Sequence, residues 1–234
     1  MGRSLLAILK PALISGLLAG ALAGGFHLFL TEPLIDRAIA IDESTQMVMH
    51  APPGEPVMGR PAQRVGLVLG FLLYGLGCAL LLGGLVYLTR SYFPAWSDAK
   101  RSFLLASTLG WSVAIFPFLK YPANPPGVGN PDTISHRQEL FLTSMGLAVL
   151  GAILVLLLNT YLRRAGRLAW PIGLGIYGAF LAAVFVALPT VSEQSHIPAE
   201  LIREFRALSL TGHLVFWGTI GGIFPWLLSG NRNR

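Results

Sequence analysis

Six apolar segments of about 20 residues constrain this chain more than any other feature. They lie at about 11–30, 65–89, 102–120, 139–162, 169–188 and 208–228. With a rise of about 1.5 Å per residue, an α-helix of each length crosses a hydrocarbon core of about 30 Å. Only 12% of the 234 residues are charged, whereas a soluble domain has about 25%. The sequence therefore predicts an all-α integral membrane protein: one membrane domain over 1–234, a bundle of six transmembrane helices with amphipathic segments at its outer face.

The basic residues predict which way the chain crosses the membrane. Ten of the 17 Lys and Arg residues fall on the two termini and the short connections of one side, where Asp98 is the only acidic residue. Because Lys and Arg concentrate on the cytoplasmic side of membrane proteins, both termini are expected in the cytoplasm. The net charge of +6 then reflects membrane topology, and no nucleic-acid partner is expected.

The first apolar segment has two interpretations. Its basic start and the triplet Ala21-Leu22-Ala23 resemble a signal peptide with a cleavage site, which would leave five helices. However, the apolar run continues through Phe26 to Leu30, past that site and to full spanning length. We expect the first helix to be retained.

Small residues and one proline predict local features of the spans. Gly16, Gly20 and Gly24 recur at every fourth residue, and Gly66 and Gly70 repeat this spacing. Such spacing lets helix backbones approach closely in lipid. A proline lacks the N–H that an α-helix needs, so Pro117 is expected to kink the third span.

Two of the segments between the spans are expected to be amphipathic. The first, which starts at Glu32, combines isoleucines with an acidic polar face and is expected to form a short helix that ends before Pro52-Pro53-Gly54. The other, from Pro198 to Leu210, places apolar residues on one face and is expected to lie along the membrane before the last span.

A proline-rich segment from Lys120 to Gly129 is predicted to form an ordered lid over the outer mouth of the bundle. Its prolines reduce the entropy that is lost on ordering. The residues expected to act as gate or lid are Lys120, Tyr121, Asn124, Pro125 and Pro126. An ion pair of Lys120 with Glu32 or Asp36 is one expected contact, and a lysine that simply extends to the interface is the alternative.

Three sets of residues carry a family resemblance. They are Glu32-Pro33 with Asp36, the run Lys120-Tyr121-Pro122-Ala123-Asn124-Pro125-Pro126 with Val128-Gly129, and Leu188-Pro189 followed by Ile197-Pro198-Ala199. Over nearly its whole length the chain resembles the CbtA family of predicted cobalt transporter subunits. The resemblance implies a multi-pass protein of the bacterial cytoplasmic (inner) membrane that serves cobalt or cobalamin supply, with Co²⁺ as substrate and no tightly bound cofactor. It also implies a small membrane partner with a histidine-rich metal-binding tail (CbtB-like).

All five histidines fall on the outer side in this topology, together with most of the acidic residues. A borderline metal ion such as Co²⁺ accepts imidazole and carboxylate ligands together. The expected metal-ligating residues are His27, Glu32, Asp36, Glu193 and His213. The alternative is that these are interfacial polar residues, because no H-x-x-x-H or similar ligand spacing is present. The family commonly has another polar residue, such as Gln, at the position of His213.

The sequence leaves three classes of function. Apart from histidine, the spans carry almost no ionisable residue, and there is no phosphate-binding loop, so a complete pump is not expected. A metal-ion permease subunit that is completed by a partner comes first. A structural or assembly subunit of a larger membrane protein complex, without transport activity, is the alternative. A membrane enzyme comes last, and no enzyme activity is expected, because no catalytic spacing is present.

Overall fold

The computed structural model describes residues 3–48, 58–92, 96–162, 166, 168–191 and 195–230. Within these ranges the secondary structure is helical, with no strand. The α-helices are α1 (Leu5–Phe26), α2 (Glu32–Val48), α3 (Arg60–Leu88), α4 (Asp98–Gly110), α5 (Phe116–Lys120), α6 (Ile134–Leu162), α7 (Ala169–Ala187) and α8 (Ala199–Gly230). Two π-helical turns, called here the first wide turn (His27–Thr31) and the second wide turn (Trp111–Ile115), join α1 to α2 and α4 to α5.

Six helical stretches of the described residues are long and apolar enough to cross a membrane. They are Leu5–Met47, Arg60–Ser91, Asp98–Lys120, Pro131–Asn159, Ala169–Ala187 and Ala199–Gly230. The chain is therefore an all-α multi-pass membrane protein, as its apolar segments predict.

The chain divides into two compact units. Unit 1 comprises Met1–Ser107, Ala123–Val128 and Gln194–Arg234, and unit 2 comprises Thr108–Pro122 and Gly129–Glu193. The single membrane domain expected from the sequence stays a prediction.

Unit 1 is built around α1, which packs against α3 and α8. Glycines allow the contact with α3: a Cβ added at Gly16 would overlap the backbone oxygen of Gly75, and one at Gly20 would overlap the backbone oxygen of Phe71. The close approach that the glycine spacing of the first span predicts is confirmed. Gly66 and Gly70 differ, because nothing lies within 4 Å of a Cβ built at either position.

The first span and the amphipathic segment after it form one uninterrupted helical path. Instead of a separate short helix, α2 continues α1 through the first wide turn, in which the N–H of Glu32 donates to the carbonyl oxygen of His27. The backbone therefore stays hydrogen-bonded where the chain leaves the apolar segment, and this fixes Glu32 relative to His27.

Unit 2 has an apolar core made by α5, α6 and α7. Phe116, Ala148, Leu181 and Val184 form its buried cluster. Pro117 follows the second wide turn, in which the N–H of Phe116 donates to the oxygen of Trp111. Because Pro117 has no N–H to donate, the helix forms a turn of i to i+5 hydrogen bonds just before it, in place of the usual i to i+4 bonds.

Candidate functional site

Two carboxylates at the start of α2 bind two arginines at the start of α3. The Glu32 Oε2 atom lies 2.6 Å from Arg60 Nη2 and 3.2 Å from Arg64 Nε. The Asp36 Oδ1 atom lies 2.8 Å from Arg60 Nη2, and its Oδ2 atom lies 2.5 Å from Arg64 Nη2. Each arginine therefore contacts both carboxylates, and we call these four side chains the arginine clamp.

Local sequence explains the arginine clamp. Glu32 and Asp36 are four residues apart on α2, as are Arg60 and Arg64 on α3, and this spacing places each pair on one face of its helix. The sequence analysis does not identify the two arginines as partners of these carboxylates. The matching spacing of the two pairs was the signal that could have identified them.

The arginine clamp has no net charge and is partly buried. The Glu32 side chain is 5% exposed, whereas that of Arg64 is 44% exposed. A carboxylate this deeply buried is stabilised only by paired charge and hydrogen bonds. Two guanidinium groups supply that compensation, and the more exposed Arg64 faces water.

His27 lies one wide turn before Glu32, at a junction of α1, α3 and α8. Its Nδ1 atom is 2.9 Å from Thr31 Oγ1, and its ring stacks on Phe71 with centroids 5.0 Å apart. A Cβ at Gly212 would overlap the ring at Nε2, so only glycine fits there without a shift of the ring. The neighbouring His213 is close enough to interact electrostatically with His27.

Lys120 belongs to unit 2, whereas Glu32 and Asp36 belong to unit 1, and the ion pair expected between them stays a prediction. Within unit 2, the Lys120 ammonium lies 4.8 Å from the centre of the Phe185 ring, a cation–π arrangement. The Tyr121 hydroxyl donates to the carbonyl oxygen of Pro189 at 2.7 Å, and burial raises the pKa of this hydroxyl.

The segment 123–128 packs on unit 1. Asn124 Oδ1 accepts a hydrogen bond of 2.6 Å from Arg206 Nη2 on α8. Pro125 is fully buried, whereas Pro126 is exposed. Gly127 has φ +78, a left-handed conformation that favours glycine. The role of this segment as a lid stays a prediction.

A second polar contact fixes the same region of unit 1. His196 Nε2 lies 2.9 Å from Asp42 Oδ1 on α2, and Gln46 donates to the other oxygen of Asp42 at 2.9 Å. Asp42 also lies against Gly127. These contacts connect α2 to the start of α8.

The metal-ligating residues expected from the sequence are brought together only in pairs. Glu32 and Asp36 share the arginine clamp, and His27 lies near His213. Glu193 lies outside the described residues. Among those that are described, no three His, Cys, Asp or Glu residues lie where they could hold one metal ion. The five-residue ligand set therefore stays a prediction.

Sequence comparison supplies the family. No curated protein and no solved structure matches this chain. Residues 5–229 match the family described as probable cobalt transporter subunit (CbtA). Because the match covers nearly all of the 234 residues, this multi-pass membrane protein belongs to the CbtA family of probable cobalt transporter subunits.

Proposed function

We propose that this chain is the large membrane subunit of a cobalt transporter of the bacterial inner membrane, with both termini in the cytoplasm. It works with a small membrane partner whose histidine-rich tail delivers or receives the ion (CbtB-like). The family description supports the substrate and the subunit role. The distribution of Lys and Arg supports the orientation.

The arginine clamp is the observation that carries the assignment of an entry site. Glu32, with its side chain only 5% exposed, stands one wide turn from His27, and His213 lies near that histidine. Carboxylate and imidazole are ligands that a borderline dication accepts together. The ion first meets Glu32 and Asp36 and then reaches the two histidines.

Charge balance explains why this site favours a dication. Two guanidinium groups neutralise two carboxylates in the arginine clamp. A dication that displaces both arginines restores neutrality, whereas a monovalent ion leaves one buried negative charge uncompensated, which is costly. Arg60 and Arg64 therefore act as tethered cations that a divalent ion replaces.

The test is uptake of radioactive cobalt by cells that lack their own uptake system. We expect uptake when the chain and its partner are produced together, and little with either alone. Glu32→Gln should abolish it. The matched control is Glu43→Gln, because Glu43 is an exposed carboxylate on the same helix, and this variant should transport normally. Equal uptake by Glu32→Gln and wild type would remove the entry site from the proposal.

The second candidate function is a structural or assembly subunit without transport activity. One face of α3 favours it: nothing lies within 4 Å of a Cβ built at Gly70, Gly77 or Gly84. Seven-residue spacing keeps these glycines on one side of the helix, where another transmembrane helix could approach. No uptake with any partner, together with stable co-purification of other membrane proteins, would favour this function.

A further inference from the structure

A buried arginine, with two nitrogens unpaired within the described part of the chain, lies at the end of unit 1 opposite the arginine clamp, where α1 begins and α8 ends. Arg101 lies in the first turn of α4 and is 4% exposed. Its Nη2 atom donates to Asp98 Oδ1 at 2.6 Å. Its Nε and Nη1 atoms are buried and have no hydrogen-bond partner among the described residues.

The two buried nitrogens of Arg101 would be stabilised by a further hydrogen-bond acceptor. A buried donor left without a partner costs about 1–3 kcal/mol, and more when it belongs to a charged group. Asp98, the carboxylate that pairs with Arg101, is itself shared, because its Oδ2 atom lies 3.4 Å from Arg3 Nε. Among the described residues the two arginines therefore have a single carboxylate between them, and the charge of these three groups is positive.

Neighbouring groups add to this positive character. The Lys100 ammonium lies 4.5 Å from the centre of the Trp96 ring, and Lys with Trp is a pair suited to the membrane–water interface. The N-terminus of α4 adds the positive end of a helix dipole. Two cationic side chains, Arg3 and Arg101, thus contact Asp98, and Lys100 adds a further positive charge to the first turn of α4.

We propose that this end of unit 1 binds a phosphate group, and that its interfacial position assigns the phosphate to an anionic phospholipid. Guanidinium groups match phosphate oxygens with forked hydrogen bonds, and basic pockets between transmembrane helices bind anionic lipid headgroups. The site comprises Arg3 and Arg101.

Exposure gives the route to the buried guanidinium. The side chains of Arg3 and Asp98 are 18% and 24% exposed and form the rim, whereas that of Arg101 is 5% exposed. Arg3 is also held at the end of α8, where it donates to the carbonyl oxygen of Leu228 at 2.6 Å. When the phosphate takes Arg3 away from Asp98, the unpaired nitrogens of Arg101 become accessible to its oxygens.

Native mass spectrometry of the purified full chain in a neutral detergent tests this site. Titration with phosphatidylglycerol, and in parallel with zwitterionic phosphatidylcholine, measures the preference for an anionic headgroup. We expect one tightly bound phosphatidylglycerol, and about a fivefold loss of affinity in Arg3→Gln and in Arg101→Gln. The control is Arg90→Gln, since Arg90 is exposed at the same end and lies over the Tyr87 ring. It should bind like wild type.

Each outcome is informative. Equal binding of the two lipids, or the same loss in Arg90→Gln as in Arg3→Gln, would overturn the site. If Arg101→Gln does not fold, Arg3→Gln and Arg101→Lys carry the test, because both retain a cation on α4. A third arm measures thermal unfolding with inorganic phosphate and no lipid. Protection equal to that by phosphatidylglycerol would overturn the lipid source and leave a free-phosphate site.

Discussion

The two wide turns, one in each compact unit, have the same backbone and different side chains. The first is followed by Glu32-Pro33 and the second by Phe116-Pro117. In both, the proline lacks the N–H that the carbonyl four residues earlier would need, and a turn of i to i+5 bonds absorbs the mismatch. Single π-helical turns often lie at functional sites. Here the shared proline explains both turns, so a wide turn is not by itself a mark of function.

The side chains make the difference. The first wide turn carries His27 and Thr31 and leads into the arginine clamp. In the second, Ser112 Oγ lies 2.9 Å from the Tyr177 hydroxyl, and Phe116 enters the apolar core of unit 2. One turn thus presents ionisable groups and the other presents a satisfied polar pair. Function is expected at the first alone, and the variants below test this contrast.

The largest effect is expected where backbones touch. Gly16→Ala places a methyl group against the backbone oxygen of Gly75 and 2.6 Å from Ala79 Cβ, and neither can yield without separating α1 from α3. We expect a loss of stability of about 3 kcal/mol or more. In unit 2, the Cβ of Gly151→Ala would lie 2.6 Å from the Phe180 ring, which can turn aside, so about 1–2 kcal/mol is expected. Thermal unfolding of the purified variants measures both, and equal losses would contradict this difference between the units.

Single substitutions of the residue that follows each wide turn are expected to have the next largest effects. Phe116→Ala removes a ring that is 4% exposed and should destabilise the protein by about 3 kcal/mol. Glu32→Gln leaves the arginines one carboxylate short and should cost about 2 kcal/mol, less than a fully buried pair because both arginines are partly exposed. Cobalt uptake per folded molecule should fall only in Glu32→Gln. A specific loss of uptake in Phe116→Ala would break the contrast between the turns.

The arginine clamp also shows what the sequence can predict. Composition and the length of apolar segments determine the six spans, because lipid leaves the backbone no alternative to helix. The acidic face of α2 is equally evident. The partners are not, since the sequence does not single out Arg60 or Arg64 and suggests Lys120 as a partner of Glu32 or Asp36. Pairing depends on which helices are neighbours, and neither hydropathy nor charge density contains that information.

Removing the side-chain hydroxyl from each wide turn is expected to cause a smaller loss of stability. Thr31→Val removes the contact with His27, and Ser112→Ala removes the contact with Tyr177, whose hydroxyl still reaches the oxygen of Ala148 at 3.1 Å. Each should cost about 1 kcal/mol of stability. Only Thr31→Val frees an imidazole, so only this variant should alter the concentration of Co²⁺ that half-saturates uptake. If Ser112→Ala also changed the half-saturating concentration of Co²⁺, the second wide turn would take part in ion binding.

The smallest change in stability, within about 1 kcal/mol, is expected from replacing the two prolines. Pro117→Ala supplies the missing N–H, so the second wide turn can narrow to an α-helix. Such a change rotates the following helix by about a quarter turn. Pro33→Ala supplies the same donor, but a rotation there would pull Glu32 and Asp36 away from Arg60 and Arg64. The four ion pairs should therefore hold the first turn wide.

Pulsed electron paramagnetic resonance, with one spin label on each side of a turn in a Cys78→Ser background, measures the rotation. The distance should change in Pro117→Ala and remain in Pro33→Ala; if both turns narrow, the arginine clamp does not fix the position of Glu32.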